Sequence, residues 1–276
     1  MVACVFSCAT RNFFSRSAFC HSLKYFQCTA SFSSNATVNP REIEKFTTKA
    51  NEWWDKELVL LHSMNSVRVP FIRDGLLSMS GMPKKTAHPL KGYSIIDVGC
   101  GGGILSEPLA RLGANVTGLD PGHQNIEKAI EHASLDEKLK DKLTYVCDTV
   151  ENHISSPSKY DAVVCSEVVE HVDNLEMFVS HCVEITKDGG SLFFTTINRT
   201  ALSYLLSIVF GEYITGLIPR GTHDWNKFVQ PKELCHILES LNCRVVSVQG
   251  FMYNPVTKSF GWCPNTSNSY ALHAVK

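Results

Sequence analysis

Short apolar runs alternate with amphipathic segments over most of the chain after residue 93. Seven of these runs have the length and composition of buried β-strands: residues 94–98, 115–119, 143–147, 162–165, 191–196, 244–250 and 269–275. Four segments with apolar positions three or four residues apart predict intervening helices: residues 103–112, 124–134, 175–186 and 231–241. Strands that alternate with helices in this way are typical of a mostly parallel sheet covered by helices on both faces. The pattern therefore predicts an α/β fold.

Three parts of the chain depart from this alternation. Residues 41–80 contain two helical segments and predict an N-terminal helical extension. Only a turn-rich segment separates the last two strands, which predicts an antiparallel hairpin at the C-terminal end of the seven-stranded sheet. Residues 200–222 form an insert that is far more apolar than a connection requires and that carries Arg220 near its end.

The first forty residues differ in composition from the rest. They contain Arg11, Arg16 and Lys24, many serines and no acidic residue before Glu42. A basic, serine-rich leader without acids is typical of mitochondrial import sequences. We therefore expect residues 1–40 to be a transit peptide, with residues 41–276 as one domain; the alternative is a disordered tail without a targeting role.

The bulk composition narrows the function classes. The 276 residues carry a formal net charge of −1, which gives no reason to expect nucleic acid as a partner. The 11 cysteines include no C-x-x-C pair, and we expect reduced thiols rather than a disulfide framework or a zinc site. No uninterrupted apolar run is long enough to predict a membrane-spanning helix.

A glycine-rich turn follows the first predicted strand in "SIIDVGCGGG". It places an acid and three glycines at alternate positions: Asp97, Gly99, Gly101 and Gly103. Such glycines let the backbone approach a ligand, and the following helix offers free N–H donors. The dinucleotide fingerprint G-x-G-x-x-G fails, because Ile104 or Ser106 stands where its third glycine is needed. The spacing fits the acid-x-G-x-G-x-G loop of Rossmann-like methyltransferases, where the strand-end acid orients the loop and the ammonium of S-adenosylmethionine.

The second predicted strand leads into Asp120. A carboxylate at this strand tip can accept hydrogen bonds from both hydroxyls of a ribose. That geometry would suit NAD as well, so Asp120 by itself does not distinguish the two cofactors. A glycine-rich turn beside a helix-capping aspartate is the purely structural alternative.

Two carboxylates and an imidazole follow the fourth predicted strand in "SEVVEHV". In helical geometry Glu167, Glu170 and His171 would share one face, because they stand at i, i+3 and i+4. Three interpretations remain open from spacing alone. The side chains could bind a divalent cation such as Mg²⁺ (Mn²⁺, Fe²⁺ and Zn²⁺ are also compatible), His171 could be a general base, or the acids could favour a helix N-terminus.

Several longer stretches carry a family resemblance. The chain from about Glu42 onward resembles the mitochondrial ubiquinone-biosynthesis O-methyltransferases, which belong to the class I S-adenosylmethionine-dependent methyltransferases. The shared stretches are "LHSMNSVRVPFIRD", "DVGCGGG", "GLDPGHQNI", "SEVVEHV", "TTINRT" and "RGTHDWNKF". The glycine motif is common to many methyltransferases, whereas the first and last stretches are far more particular.

The resemblance implies both substrates and their contacts. S-adenosylmethionine would be the methyl donor and a polyprenylated catechol the acceptor, and the residues implied to contact the donor are Arg68, Gly99, Asp120 and Ser166. Arg68 could pair with the carboxylate of the donor, although a solvated surface arginine is the commoner case. Glu167, Glu170 and His171 would be the catalytic metal site, since a bound cation makes a catechol hydroxyl easier to ionise.

The resemblance also bears on location and partners. A polyprenylated acceptor is confined to the bilayer, so residues 201–220 could contact the matrix face of the mitochondrial inner membrane; the alternative is a lid that only packs over the site. Other coenzyme Q biosynthesis proteins would be partners in a complex. The rival functions are methyl transfer to another small phenol or amine, and a non-catalytic scaffold that binds the donor.

Overall fold

The computed structural model describes residues 37–54, 59–80, 86–215 and 219–276. Its α-helices are α1 (Pro40–Thr47), α2 (Val59–Ser80), α3 (Ser106–Arg111), α4 (His123–Ala133), α5 (Val150–His153), α6 (Leu175–Glu184), α7 (Ala201–Ser203) and α8 (Pro231–Ser240). The helix α7 continues as a π-helix over Tyr204–Ile214. The predicted N-terminal extension corresponds to α1 and α2. Most of the predicted transit peptide, residues 1–36, lies outside the described residues.

The strands form a single mixed sheet. They are β1 (Ser94–Val98), β2 (Asn115–Asp120), β3 (Leu143–Cys147), β4 (Tyr160–Ser166), β5 (Thr186–Ile197), β6 (Arg244–Asn254), β7 (Ser259–Cys263) and β8 (Ser269–Val275). Their order in the sheet is β3-β2-β1-β4-β5-β8-β6-β7. The first five strands pair in parallel, whereas β8 runs antiparallel to both β5 and β6. The predicted α/β class with a mostly parallel sheet is confirmed.

Within the residues that the structure describes, one strand more than predicted is present. The seven predicted strands all form, and β6 and β8 pair antiparallel as expected. The eighth strand, β7, lies in the turn-rich segment between them and pairs with the C-terminal half of β6. Because β7 is an edge strand with none of its residues fully buried, it has no apolar run by which the sequence could have revealed it.

The core lies on both faces of the sheet. Alternate residues of a strand point to opposite faces, so Ile95 belongs to the cluster under α2, α3 and α4, whereas Ile96 belongs to the cluster under α6 and α8. On β5, Phe193 and Phe194 divide between the faces in the same way. Both faces of the central strands are covered, which is why these strands read as continuous apolar runs.

The sheet order places the polar motifs at one edge. The chain turns in opposite directions from β1 and β4, and in open α/β sheets ligands bind at such a switch point, beyond the carboxyl ends of the strands. The glycine turn follows β1 and "SEVVEHV" follows β4, so both motifs flank this crevice. Of the helices in the described ranges, none is long and apolar enough to cross a membrane.

Candidate functional site

The glycine turn after β1 has the backbone that the sequence predicts. Gly99, Gly101 and Gly103 have φ angles of 74°, 53° and 84°, in the left-handed region that favours glycine. A side chain at Gly101 would also collide with the indole of Trp53, and one at Gly103 would collide with the hydroxyl of Tyr145. Backbone conformation and close neighbours therefore both restrict these positions to glycine.

Asp120, at the end of β2, holds this turn in place. One carboxylate oxygen accepts a hydrogen bond from the N–H of Gly101 at 2.9 Å. The other accepts from the N–H of Gly122 at 2.8 Å and from the amide of Asn125 at 3.1 Å. Burial raises the pKa of Asp120, although these three hydrogen bonds oppose the rise. Since a carboxylate has about four lone-pair sites, acceptor capacity remains for a ligand hydroxyl.

Asp97 and Arg68 form a buried pair of opposite charges behind the turn. Asp97 accepts a hydrogen bond from Ser106 Oγ at 2.6 Å, and burial raises its pKa to about 6. Arg68, on α2, donates to the carbonyl of Leu61 and to Oδ1 of Asn65, both at 2.7 Å. Burial lowers the pKa of Arg68 to about 10, so it is still a cation at neutral pH. Arg68 is therefore not a solvated surface arginine.

A chain of hydrogen bonds leads from Arg68 to Glu167. Arg68 Nη1 donates to Ser166 Oγ at 2.8 Å, and Ser166 Oγ lies 2.7 Å from Thr195 Oγ1. Thr195 Oγ1 in turn donates to Glu167 Oε1 at 2.9 Å. Because Thr195 has one hydroxyl proton and uses it on Glu167, Ser166 is the donor to Thr195. Side chains from α2, β5 and the end of β4 thus form one connected polar unit.

Glu170, on the short turn after β4, is almost completely buried. Its Oε2 accepts a hydrogen bond from Thr196 Oγ1 at 2.8 Å. Its Oε1 is buried and has no hydrogen-bond partner among the described residues. Burial, with a further contribution from repulsion by Glu167, raises the pKa of Glu170 well above its ordinary value. Two neighbouring carboxylates with an unpaired oxygen are an arrangement that a bound cation would stabilise.

The N-terminal strap, which we define as residues 37–54, lies against His171. Glu42 of α1 accepts a hydrogen bond from His171 Nδ1 at 2.9 Å, and this bond is the main reason that the pKa of Glu42 falls to about 2. The ring of Phe46 packs edge-on against the imidazole, with 4.9 Å between the centroids. Because Nδ1 carries the proton toward Glu42, Nε2 is the ring nitrogen left to accept a hydrogen bond or bind a cation.

The prediction that Glu167, Glu170 and His171 share one helical face is wrong. The backbone N–H of Glu167 donates to the carbonyl of Thr195 at 2.8 Å, so this residue is still attached to the sheet. Its φ of 57° lies in the left-handed region and turns the chain sharply. Only Val169–His171 form a short 3-10 turn. The sheet contact extends two residues beyond the apolar run 162–165 and prevents a helix from beginning there.

The predicted metal ligands are near one another but are not arranged as a ligand set. Within the ranges that the structure describes, there is no group of three or more His, Cys, Asp and Glu side chains that is arranged to hold a metal ion. His171 is hydrogen-bonded to Glu42, and Glu167 is hydrogen-bonded to Thr195. The two carboxylates nevertheless fit a divalent cation chemically, because Glu170 has an unpaired buried oxygen and Glu167 repels it.

Two cavities meet at this point. The glycine cavity, with about 760 Å³ of open space, is lined by the glycine turn, Asp120, Asn125 and the strap. The acidic cavity, with about 2060 Å³, is lined by Arg68, Glu170 and the apolar insert. Gly99, Glu167 and His171 line both cavities, so ligands in the two spaces would touch each other. Adjacent binding spaces of this kind permit group transfer between two bound molecules.

The insert covers the acidic cavity. Leu206, Ser207 and Phe210 of the π-helix contribute to the cavity wall. The same helical segment exposes large apolar side chains between 43% and 62%: Leu202, Tyr204, Leu205, Phe210, Tyr213 and Ile214. The predicted apolar surface is therefore present on both the inner and the outer side of the insert, in the part that the structure describes.

Three side chains near the site were not predicted from the sequence. Glu42 contacts His171 across 129 positions of chain, and no local pattern indicates such a contact. Glu212, in the π-helix, accepts a hydrogen bond from His223 Nδ1 at 2.9 Å. The only sequence signal for this second pair is that a glutamate interrupts an apolar segment and that "RGTHDW" follows it.

Comparisons with known proteins support one functional class. A family model described as a methyltransferase domain matches residues 64–248. The chain is 50% identical over 248 residues to the mitochondrial ubiquinone biosynthesis O-methyltransferase of Rattus norvegicus, covering 89% of this chain and 72% of that protein. It is 41% identical over 244 residues to the ubiquinone biosynthesis O-methyltransferase of Proteus mirabilis, covering 87% and 94%. Among four mammalian relatives, the chain spans 66% to 72% of their length.

A solved structure supports the fold independently. The magnesium protoporphyrin IX methyltransferase of Synechocystis, crystallised with S-adenosylhomocysteine, superposes with a TM-score of 0.54. The two sequences are 19% identical, and the alignment covers 88% of this chain and 90% of that one. At this identity the likeness concerns the arrangement of sheet and helices alone.

Proposed function

The chain belongs to the ubiquinone biosynthesis O-methyltransferases, and from that premise we propose that it transfers the methyl group of S-adenosylmethionine to a hydroxyl of a polyprenylated catechol. The meeting of the two cavities at Gly99, Glu167 and His171 carries this proposal. A methyl transfer needs the acceptor oxygen, the methyl carbon and the sulfur in one line, and therefore needs donor and acceptor in contact.

The glycine cavity is the proposed donor site. Asp120 would accept a hydrogen bond from the ribose, and the left-handed turn of Gly99 and Gly101 gives the donor close access to the backbone. Arg68 lines the acidic cavity, so the carboxylate end of the donor would extend past Gly99, which lines both cavities, to this buried cation and its partner Ser166. Asp97 and Gly103 would maintain the backbone conformation of the glycine turn.

The donor site is tested by calorimetry with S-adenosylhomocysteine. We expect Asp120→Asn to weaken binding by at least about tenfold. The asparagine side chain has one acceptor oxygen in place of two, and its NH₂ group would face a backbone N–H group of the turn. Glu127→Gln on the exposed side of α4 is the matched control. If both variants bind the product like the wild type, this assignment of the glycine cavity is incorrect.

Glu167 and Glu170, with Nε2 of His171, are the proposed ligands of Mg²⁺ or a similar divalent cation. Such a cation, when bound, favours ionisation of a catechol hydroxyl. The chain's own part is to keep the two carboxylates fixed, through Thr195 and Thr196, and to shield them from water under the strap and the insert. The alternative is a cation-free site in which His171 acts as a base.

A single variant separates these alternatives. If the acids bind the cation, Glu170→Gln weakens Mg²⁺ binding in calorimetry by at least about tenfold and leaves S-adenosylhomocysteine binding unchanged. Turnover that depends on Mg²⁺ in the same way in the variant and the wild type would contradict the metal site. Wild-type turnover that survives EDTA would favour the cation-free alternative.

The exposed apolar side of the insert is the proposed membrane contact. A polyprenylated acceptor stays in the bilayer, and an apolar helix surface next to the acidic cavity would bring the site to it. Replacing Leu205 and Phe210 with glutamate removes apolar surface whose burial in the membrane would contribute about 2 kcal/mol or more of binding free energy. We therefore expect liposome binding to fall at least about tenfold. Leu135→Glu, at an exposed leucine outside the insert, is the control. Unchanged liposome binding in the double variant would exclude this contact.

The mitochondrial names of the relatives support a mitochondrial location for this chain. We further propose that residues 1–40 are removed on import and that residues 41–276 act on the matrix face of the inner membrane, together with other coenzyme Q biosynthesis proteins. Mass spectrometry of the protein purified from mitochondria tests the first point, since a mature N-terminus that retains Arg11 and Arg16 would contradict it.

A further inference from the structure

A carboxylate is buried inside the apolar insert, where its presence requires a reason. Glu212 is the one acid in the π-helix Tyr204–Ile214 and is 2% exposed. An ionised carboxylate is costly to bury unless it is hydrogen-bonded. Among the described residues, its three hydrogen bonds come from the segment that follows the π-helix: the N–H of Gly221 at 2.6 Å, the N–H of His223 at 2.9 Å and Nδ1 of His223 at 2.9 Å.

These bonds fix which nitrogen of His223 can react. Burial alone would raise the pKa of Glu212, but its hydrogen bonds with His223 and Gly221 outweigh that effect and lower it. Glu212 is therefore ionised and can only accept, so Nδ1 of His223 carries the proton of this hydrogen bond. Nε2 is then the acceptor nitrogen, and it has no hydrogen bond to any residue that the structure describes.

The position of His223 favours contact with the acceptor rather than the donor. His223 lines the acidic cavity but not the glycine cavity, whereas His171 lines both. The two imidazoles lie face to face, with 6.3 Å between their centroids. The ring of Phe228 packs edge-on against His223, with 5.7 Å between the centroids. An oriented acceptor nitrogen thus stands at the cavity that the insert covers.

We propose that His223 is the base that receives the proton of the acceptor hydroxyl and that Glu212 is the residue that positions it. As the oxygen bonds to the methyl carbon, the carbon–sulfur bond breaks and its electron pair neutralises the sulfonium. The hydroxyl proton moves to Nε2 of His223, and the imidazolium later releases it to water. The inference rests on the proposed methyl transfer to a hydroxyl.

The arrangement also links the insert to the chemistry. The same helix that exposes apolar side chains carries the carboxylate that orients His223. The carboxylate that orients the proposed base therefore belongs to the same segment that covers the acidic cavity.

Four variants of the full chain test the proposal, with a short-chain prenylated dihydroxybenzoate as acceptor. We expect His223→Gln to lower the rate of methyl transfer by about 100-fold or more, because the proton acceptor is lost. Glu212→Gln should lower it by about tenfold or more, since the ring is no longer held in one tautomer. His236→Gln and Glu239→Gln, at exposed positions of α8, should transfer at the wild-type rate. All four should bind S-adenosylhomocysteine like the wild type, which shows that the fold and donor site are intact.

Two further readouts distinguish chemistry from structure. Nitrogen-15 NMR of labelled histidine should report the Nδ1–H tautomer for His223 and lose that signature in Glu212→Gln. Added imidazole should restore transfer to His223→Ala, because it can occupy the vacated space and accept the proton. A His223→Gln variant within about threefold of the wild-type rate, or a His223→Ala variant that imidazole does not rescue, would overturn the proposal. Wild-type protein that transfers no methyl group would instead refute the proposed function, while the tautomer measurement still tests the Glu212–His223 pair.

Discussion

Replacing Thr195 with valine removes one hydroxyl from the chain that links Arg68 to Glu167 and changes the side-chain shape very little. Thr195 is 5% exposed, so water cannot replace the lost group. Ser166 would lose its hydrogen-bond acceptor at 2.7 Å, and Glu167 would lose its donor at 2.9 Å. The perturbation therefore tests whether these side chains act as one unit.

The expected magnitude follows from the two bonds. A buried bond between hydroxyls contributes about 1 kcal/mol, and one to a carboxylate contributes about 1.5–3 kcal/mol. The added methyl group returns about 0.8 kcal/mol at most. We therefore expect Thr195→Val to lower the free energy of unfolding by about 2–3 kcal/mol.

Urea unfolding at neutral pH measures this difference, and methyl-transfer assays follow the site. Thr144→Val, on the exposed side of β3, is the control and should change stability by less than about 0.5 kcal/mol. Turnover of Thr195→Val should fall by about tenfold or more, because Glu167 is no longer fixed. A Thr195→Val protein as stable and as active as the control would refute the idea of a connected polar unit.

Two other predictions follow from buried groups. Burial lowers the pKa of His273 to about 4. Between this pH and the ordinary pKa of histidine, about 6.5, the unfolded chain therefore binds a proton at His273 that the folded chain does not bind. The contribution of His273 to stability is fully present above about pH 6.5 and is lost as the pH falls toward about 4. In urea titrations between about pH 7.5 and pH 5, we expect the free energy of unfolding of the wild type to fall by about 2 kcal/mol more than that of His273→Gln. Equal losses would show that this imidazole is not responsible. Arg68→Lys should weaken S-adenosylhomocysteine binding by about tenfold in calorimetry, because lysine cannot hold Ser166 and Asn65 together; unchanged affinity would exclude Arg68 from the donor site.

Much of the fold could be predicted because its signals are local. The strands β1, β2 and β4 are buried on both faces and stand out as apolar runs, and the glycine spacing requires the left-handed backbone that Gly99 and Gly101 adopt. The strand β7 escaped prediction because an edge strand can be partly exposed along its whole length. Its pairing with β6 depends on the tertiary structure and not on its own composition.

The site could be predicted only in part, because its remaining contacts are long-range. The residue types of "SEVVEHV" indicate charge at the crevice, but their geometry depends on Thr195, a partner on the neighbouring strand. The partner of His171 comes from the N-terminal strap, and that of His223 comes from the insert. No spacing rule connects residues that meet only after the sheet has formed.

The most direct measurement follows the labelled methyl group of S-adenosylmethionine in a mixture of the purified protein, Mg²⁺ and a prenylated dihydroxybenzoate. We expect label in the lipid extract as a methyl ether on a ring oxygen, formed in equal amount to S-adenosylhomocysteine. If the protein binds S-adenosylhomocysteine in calorimetry but leaves the label on the donor, the two cavities do not serve methyl transfer and the account is wrong.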